Sequence, residues 1–140
     1  PSLVGRGRPV LGYTFEGLWA DIGTPARYLD LHRRLLRRGP ERLLAPGCEV
    51  DSSASIELAS LGEGCRVGPQ AAIRESVLWE QVAVEAGAVV EGSIAADGAV
   101  IGRGARVVDS VLGANSSVAP GSIVEGMRVP PRARYDGAHE

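Results

Sequence analysis

The 140-residue sequence contains no lysine; all fifteen of its basic residues are arginine. Aromatic residues are also scarce, at 4% against 44% hydrophobic residues overall, so a core must be filled by aliphatic and small side chains. The formal net charge of −2 argues against the basic footprint of a nucleic-acid-binding domain. No apolar run approaches the roughly 20 residues needed to span a bilayer, so no membrane partner is expected. Two cysteines and no secretory signal predict a reducing, cytoplasmic setting. Imidazole chemistry is limited to His32 and His139. What is abundant is glycine, at 19 residues, which predicts many tight turns. The chain opens on Pro1 rather than Met, and we read it as a piece of a longer protein.

Written from Leu44 in lines of seventeen, the sequence repeats. The lines begin at Leu44, Leu61, Leu78, Ala95 and Leu112. The seventh column reads Val50, Val67, Val84, Ile101, Val118, and the thirteenth reads Ile56, Ile73, Val90, Val107, Val124. Fourteen of these fifteen positions are Val, Ile or Leu. Four residues after the aliphatics come small residues, Cys48, Cys65, Val82, Ala99, Ser116 and then Ala54, Ala71, Ala88, Ala105, Ser122, as expected where a coil narrows. One residue earlier stand Gly47, Gly64, Gln81, Gly98, Asn115 and Ser53, Gln70, Gly87, Gly104, Gly121. Six of these ten are Gly and one is Asn, the residues that adopt positive φ at least cost. Each six-residue unit thus reads as a short strand ending in a turn, and three units close a triangular coil. The prediction is a mainly β chain: a left-handed parallel β-helix of hexapeptide repeats, five coils from Leu44 to Arg128, preceded by a short segment with one α-helix. Such coils bury their aliphatics only against one another, so they are stable only as a stack.

The helix is expected at 25–38. Thr24 suits the N-cap and Pro25 the first helical position. Tyr28, Leu31 and Leu35, with Leu29 and Leu36, give an apolar face. Arg33, Arg34, Arg37 and Arg38 crowd the C-terminal end, where the helix dipole favours cations, and read as a solvated face. Gly39-Pro40 should stop the helix.

The stretch Gly12-Tyr13 to Leu36, with Gly17-Leu18-Trp19-Ala20-Asp21-Ile22-Gly23-Thr24-Pro25 at its centre and Tyr28-Leu29 after it, resembles the end of the catalytic domain of the sugar-phosphate nucleotidyltransferases. These are the NDP-sugar pyrophosphorylases, including mannose-1-phosphate guanylyltransferase, and many continue into a left-handed β-helix. Ser76-Val77-Leu78-Trp79 also resembles the repeats of that branch. The resemblance implies a parent enzyme that joins an NTP and a sugar 1-phosphate into an NDP-sugar and pyrophosphate. It implies that Asp21 helps hold the catalytic Mg²⁺, a hard ion that prefers carboxylate and phosphate oxygens. It divides the chain into a catalytic-domain remnant at 1–40, the β-helix at 44–128 and a poorly ordered tail at 129–140. The family's Gly-rich nucleotide loop and Pro-Lys pair are absent, and a chain without lysine cannot supply phosphate-binding lysines. The expected partner is therefore an N-terminal nucleotidyltransferase domain, with the chain inactive alone and serving assembly or regulation as a homo-oligomer.

A second possibility is a free-standing, non-catalytic β-helix used as a scaffold or oligomerisation module. Hexapeptide acyltransferases need a general-base His, and γ-type carbonic anhydrases need three metal-binding His. Neither His32 nor His139 falls in a coil, so these readings lack their key residue. Cys48 and Cys65 share a column and are expected as free thiols acting as small hydrophobes. Glu63, Glu80 and Asp97 form an acidic column and Ser76, Ser93 and Ser110 a hydroxyl column. Trp79 should point outward, either as an interface residue or against the N-terminal helix.

Overall fold

A computed structural model of the protein describes residues 5–137. Helix α1 spans Pro25–Leu36. Its start follows the local chemistry: Thr24 is extended, and its hydroxyl accepts the N–H of Arg27 at 3.3 Å. Its end comes two residues before the predicted Arg38. The N–H groups of Arg38 and Gly39 turn back to the carbonyls of Leu35 and Leu36, closing the last turn with tighter bonds that no longer continue an α-helix.

From Arg42 the chain winds into a left-handed parallel β-helix with three faces. The first sheet stacks Arg42–Leu44, Ala59–Leu61, Val77–Leu78, Ile94–Ala95, Val111–Leu112 and Arg128–Val129. The second stacks Glu49–Val50, Arg66–Val67, Ala83–Val84, Val100–Ile101, Ser117–Val118 and Arg134–Tyr135. The third stacks Ser55–Glu57, Ala72–Arg74, Val89–Glu91, Arg106–Val108 and Ile123–Glu125. Every pairing is parallel and joins residues seventeen apart, so the three aliphatic columns stand in register, as in Ile56, Ile73, Val90, Val107 and Val124. Ile73, Val90, Ile101, Val107, Leu112 and Val124 are fully buried, and together with the small corner residues they fill the interior. The first coil has nothing beneath it, and Leu44 is left 43% exposed.

Two boundaries differ from the sequence expectation. Arg42 and Leu43 already pair with Ala59 and Ser60, so the stack begins before Leu44. It also runs past Arg128 into the predicted tail, where Arg134–Tyr135 pairs with Ser117–Val118 and makes about six turns in all. Pro130-Pro131 does not end the array. The Pro130 carbonyl accepts the N–H of Ala133, and proline sits in this turn without removing a bond the ladder needs. Residues 138–140 of that tail, His139 among them, lie outside the described residues.

Nine of the ten predicted turn positions have positive φ, including Gln70, Gln81 and Asn115; Ser53 is the exception. The third corner was not visible in the sequence. Its left-handed residues are Leu58, Glu75, Gly92, Asp109 and Gly126, a column with only two glycines. The hydroxyl column accounts for part of it. Ser76, Ser93 and Ser110 follow three of these residues, and each Oγ donates to the carbonyl two residues earlier at 2.6–2.7 Å. Each Oγ also accepts a backbone N–H from the next coil: Ser93 N–H to Ser76, Ser110 N–H to Ser93 and Met127 N–H to Ser110, at 3.0–3.1 Å. All three serines are buried, so the ladder satisfies polar groups that water cannot reach.

Candidate functional site

Helix α1 lies on the first sheet, which shows why that face carries Val77 and Ile94 where a solvated sheet would carry polar residues. Leu29 packs against both, with Tyr28 and Val111 beside them. His32 places Nδ1 3.2 Å from Ser60 Oγ and meets the Tyr28 ring edge-on at 4.6 Å. Burial disfavours its imidazolium and lowers its pKa from the ordinary histidine value. His32 therefore serves as a packing residue on the inner face of α1.

The arginine run is not uniformly solvated. Arg33 Nε lies 3.0 Å from Glu75 Oε2 and Arg37 Nη2 3.3 Å from Glu75 Oε1, so one carboxylate of the β-helix ties two turns of α1. Arg34 pairs with Asp30 at 2.8 Å along the helix. Gly92 makes room for the Arg33 guanidinium. A Cβ there would strike the Asp109 carboxylate and sit 3.2 Å from Arg33 Nη2. The sequence reading missed Glu75, Ser60 and Gly92 as docking residues. The available signal was Gly92 interrupting a column that is otherwise acidic at Glu75 and Asp109.

Asp21 precedes the N-cap on an exposed stretch. Its carboxylate pairs with Arg27 on the first turn of α1, and Oδ1 accepts the N–H of Gly23 at 3.1 Å. Trp19, Asp21, Arg27, Asp30 and Arg34 line a cleft of about 370 Å³. A Mg²⁺ site needs several oxygens. Here Asp21 is committed to Arg27 and Gly23, and Asp30 to Arg34. Among the described residues no three His, Cys, Asp or Glu side chains come together where a metal ion could sit. This region does not by itself fit Mg²⁺. Along the segment that leads to α1, the apolar side chains of Val10, Leu11, Tyr13, Phe15, Leu18, Trp19 and Ile22 are each more than half exposed.

Trp79 is 44% exposed and, with Ile22, Pro25 and Tyr28, borders a largely apolar cleft of about 340 Å³ beside the start of α1. In the acidic column, Asp97 Oδ1 accepts the N–H of Glu80 at 3.1 Å, a structural bond between coils. Cys48 and Cys65 are free, one half-buried and one buried. Among the described residues no helix is long and apolar enough to cross a membrane.

The fold and the docked helix define a β-helical platform preceded by an exposed, largely apolar segment that bears Asp21. The family model for the GMPPB C-terminal domain matches residues 39–136, and the chain belongs to that family. Glucose-1-phosphate adenylyltransferases are among its curated relatives. The one from Bacillus cytotoxicus is 28% identical over 100 residues, covering 61% of this chain and 26% of its own length. The one from Acetivibrio thermocellus is 28% identical over 97 residues, covering 60% and 22%. The chain thus spans about a quarter of the length of these relatives. Solved structures with partial likeness include a serine acetyltransferase from Neisseria gonorrhoeae, with TM-score 0.45 and 18% identity over 77% of this chain and 48% of that one. A perosamine N-acetyltransferase from Caulobacter crescentus has TM-score 0.42 and 16% identity over 76% and 60%.

Proposed function

We propose that this chain is the C-terminal region of an NDP-sugar pyrophosphorylase, an enzyme that converts an NTP and a sugar 1-phosphate into an NDP-sugar and pyrophosphate. The observation that carries the reading is the match of residues 39–136 to a nucleotidyltransferase C-terminal domain. The relatives, named as glucose-1-phosphate adenylyltransferases, agree with the reaction class. Within that class the match to the GMPPB C-terminal domain and the resemblance to mannose-1-phosphate guanylyltransferase favour guanine and mannose, although the residues that select base and sugar belong to the catalytic domain. The exposed apolar run from Val10 to Ile22 is the surface a catalytic domain would cover.

In this proposal the β-helix does no chemistry. It holds α1 through Leu29, His32 and Glu75, and α1 in turn fixes the approach of Asp21. On docking with the catalytic domain, Asp21 would exchange Arg27 for Mg²⁺ and give one carboxylate to a site whose other ligands lie on that domain, where the ion would offset phosphate charge. Assembly into a homo-oligomer, regulation of the enzyme and a cytoplasmic location belong to the same proposal. The test is an assay of NDP-sugar formation with the 140-residue chain alone, with the product of the whole gene, and with that product carrying Asp21→Asn. We expect activity only from the whole product, and a lower kcat for the variant. Turnover by this chain alone, or none by the whole product with any NTP, would refute the reading. Light scattering of the whole product tests assembly, and a strict monomer would count against it.

A further inference from the structure

The two cysteines stand in a relation that their role as small hydrophobes does not require. Glu49 pairs with Arg66 in register, so Cys48 and Cys65, one residue earlier, occupy equivalent corners of the first and second coils. Parallel neighbours lie about 4.8 Å apart, inside the Cα window of about 4.4–6.8 Å that a disulfide spans. Both thiols leave the corner in the same sense. Cys48 Sγ donates to the Gly62 carbonyl at 3.2 Å and Cys65 Sγ to the Trp79 carbonyl at 2.9 Å. Their accessibility differs: Cys65 is 1% exposed, whereas Cys48 is half-buried. Cys48 also sits on the end coil, where Leu43 and Leu44 are 48% and 43% exposed. An end coil is packed on one side only and can close the roughly 0.3 Å by which in-register Cβ atoms, about 4.8 Å apart, exceed the upper end of a disulfide's Cβ range at about 4.5 Å.

We propose that Cys48 and Cys65 form an oxidation-sensitive dithiol, closed by a peroxide into a disulfide between the first two coils. The order of events follows from access. The Cys48 thiolate attacks one peroxide oxygen, the O–O bond breaks, and water leaves a sulfenic acid on Cys48. The Cys65 sulfur then attacks the Cys48 sulfur; the S–S bond forms, the S–O bond breaks and a second water departs. Overall, two thiols lose two electrons and two protons, and hydrogen peroxide becomes two waters. Burial pushes the Cys65 thiol above its ordinary pKa, with the adjoining Cys48 thiol adding to the effect, so Cys65 resolves but does not initiate.

The chain reports the outcome cleanly. No arginine lies between Arg42 and Arg66, so trypsin releases both cysteines on the single peptide 43–66. The full chain is treated with equimolar hydrogen peroxide, alkylated, digested and weighed. We expect peptide 43–66 to lose two hydrogens and to resist alkylation until reduced. Cys65→Ser should instead yield a dimedone-trapped sulfenic acid at Cys48, and Cys48→Ser should leave Cys65 unoxidised. Progression of Cys48 to sulfinic acid while Cys65 still alkylates in the wild-type chain would overturn the proposal. So would disulfides that join two chains. The decisive readout is on the wild-type protein and does not depend on the folding of either variant.

Discussion

Ser93→Ala tests the hydroxyl ladder that runs up the third corner. Ser93 Oγ donates to the Glu91 carbonyl at 2.7 Å, with a longer contact to the Val107 carbonyl at 3.4 Å, and accepts the N–H of Ser110 at 3.0 Å. Loss of these bonds is not equivalent. The Glu91 carbonyl also accepts the N–H of Asp109 at 3.0 Å and so keeps a partner. The Ser110 N–H has no other, and both serines are 1% exposed, so water does not replace the hydroxyl. The substitution leaves one buried donor unsatisfied, at a cost of about 1–3 kcal/mol. With a urea m-value of about 2 kcal/mol/M, the unfolding midpoint should fall by about 0.5–1.5 M. Urea titration followed by circular dichroism measures this, and amide exchange at Ser110 should accelerate. Ser117→Ala, which touches no rung of the ladder, is the control and should shift stability by less than about 0.5 kcal/mol. A Ser93→Ala midpoint indistinguishable from the control would refute the view that the ladder holds this corner.

Ile73→Ala empties a fully buried place between Ile56 and Val90 and should cost about 2–5 kcal/mol in urea titration. Gly62→Ala would put a Cβ 2.7 Å from the Trp79 carbonyl carbon and 2.8 Å from the Glu80 nitrogen; both are backbone, so the coils must part, and a loss of about 1–3 kcal/mol should appear as a lower Tm. His32 has its folded pKa below 6.5, so the unfolded chain takes up the proton first as pH falls. Its contribution is complete above pH 6.5 and is lost as pH falls through the lower folded value; urea midpoints at pH 7.5 and 5 should differ less in His32→Asn than in the wild type, and an equal difference would refute the assignment.

Much of the architecture is legible in the sequence. The seventeen-residue period, the aliphatic columns and two of the three corners are repeated in every coil, because each coil must satisfy the same neighbours above and below. Thr24 and Pro25 announced α1 for a similarly local reason: the groups they satisfy lie within one turn. Sequence resemblance pointed to Asp21, but pattern alone did not show that its carboxylate is engaged by Arg27.

What lay beyond the sequence involves relations that do not repeat. Leu58, Glu75 and Asp109 take the left-handed conformation without being glycine; serines in the adjacent column and bonds between coils hold much of that corner, so composition at the turn itself gave no sign. Arg134–Tyr135 joins the stack after two prolines because Ser117–Val118 offers it an open edge. Glu75 becomes the anchor of α1 only when folding brings it against Arg33 and Arg37, some forty residues earlier in the chain. By itself, then, the sequence determined the coil, since its forces act at a constant spacing. Tertiary structure alone decided the docking of the helix, since those contacts occur once and between groups that no period relates.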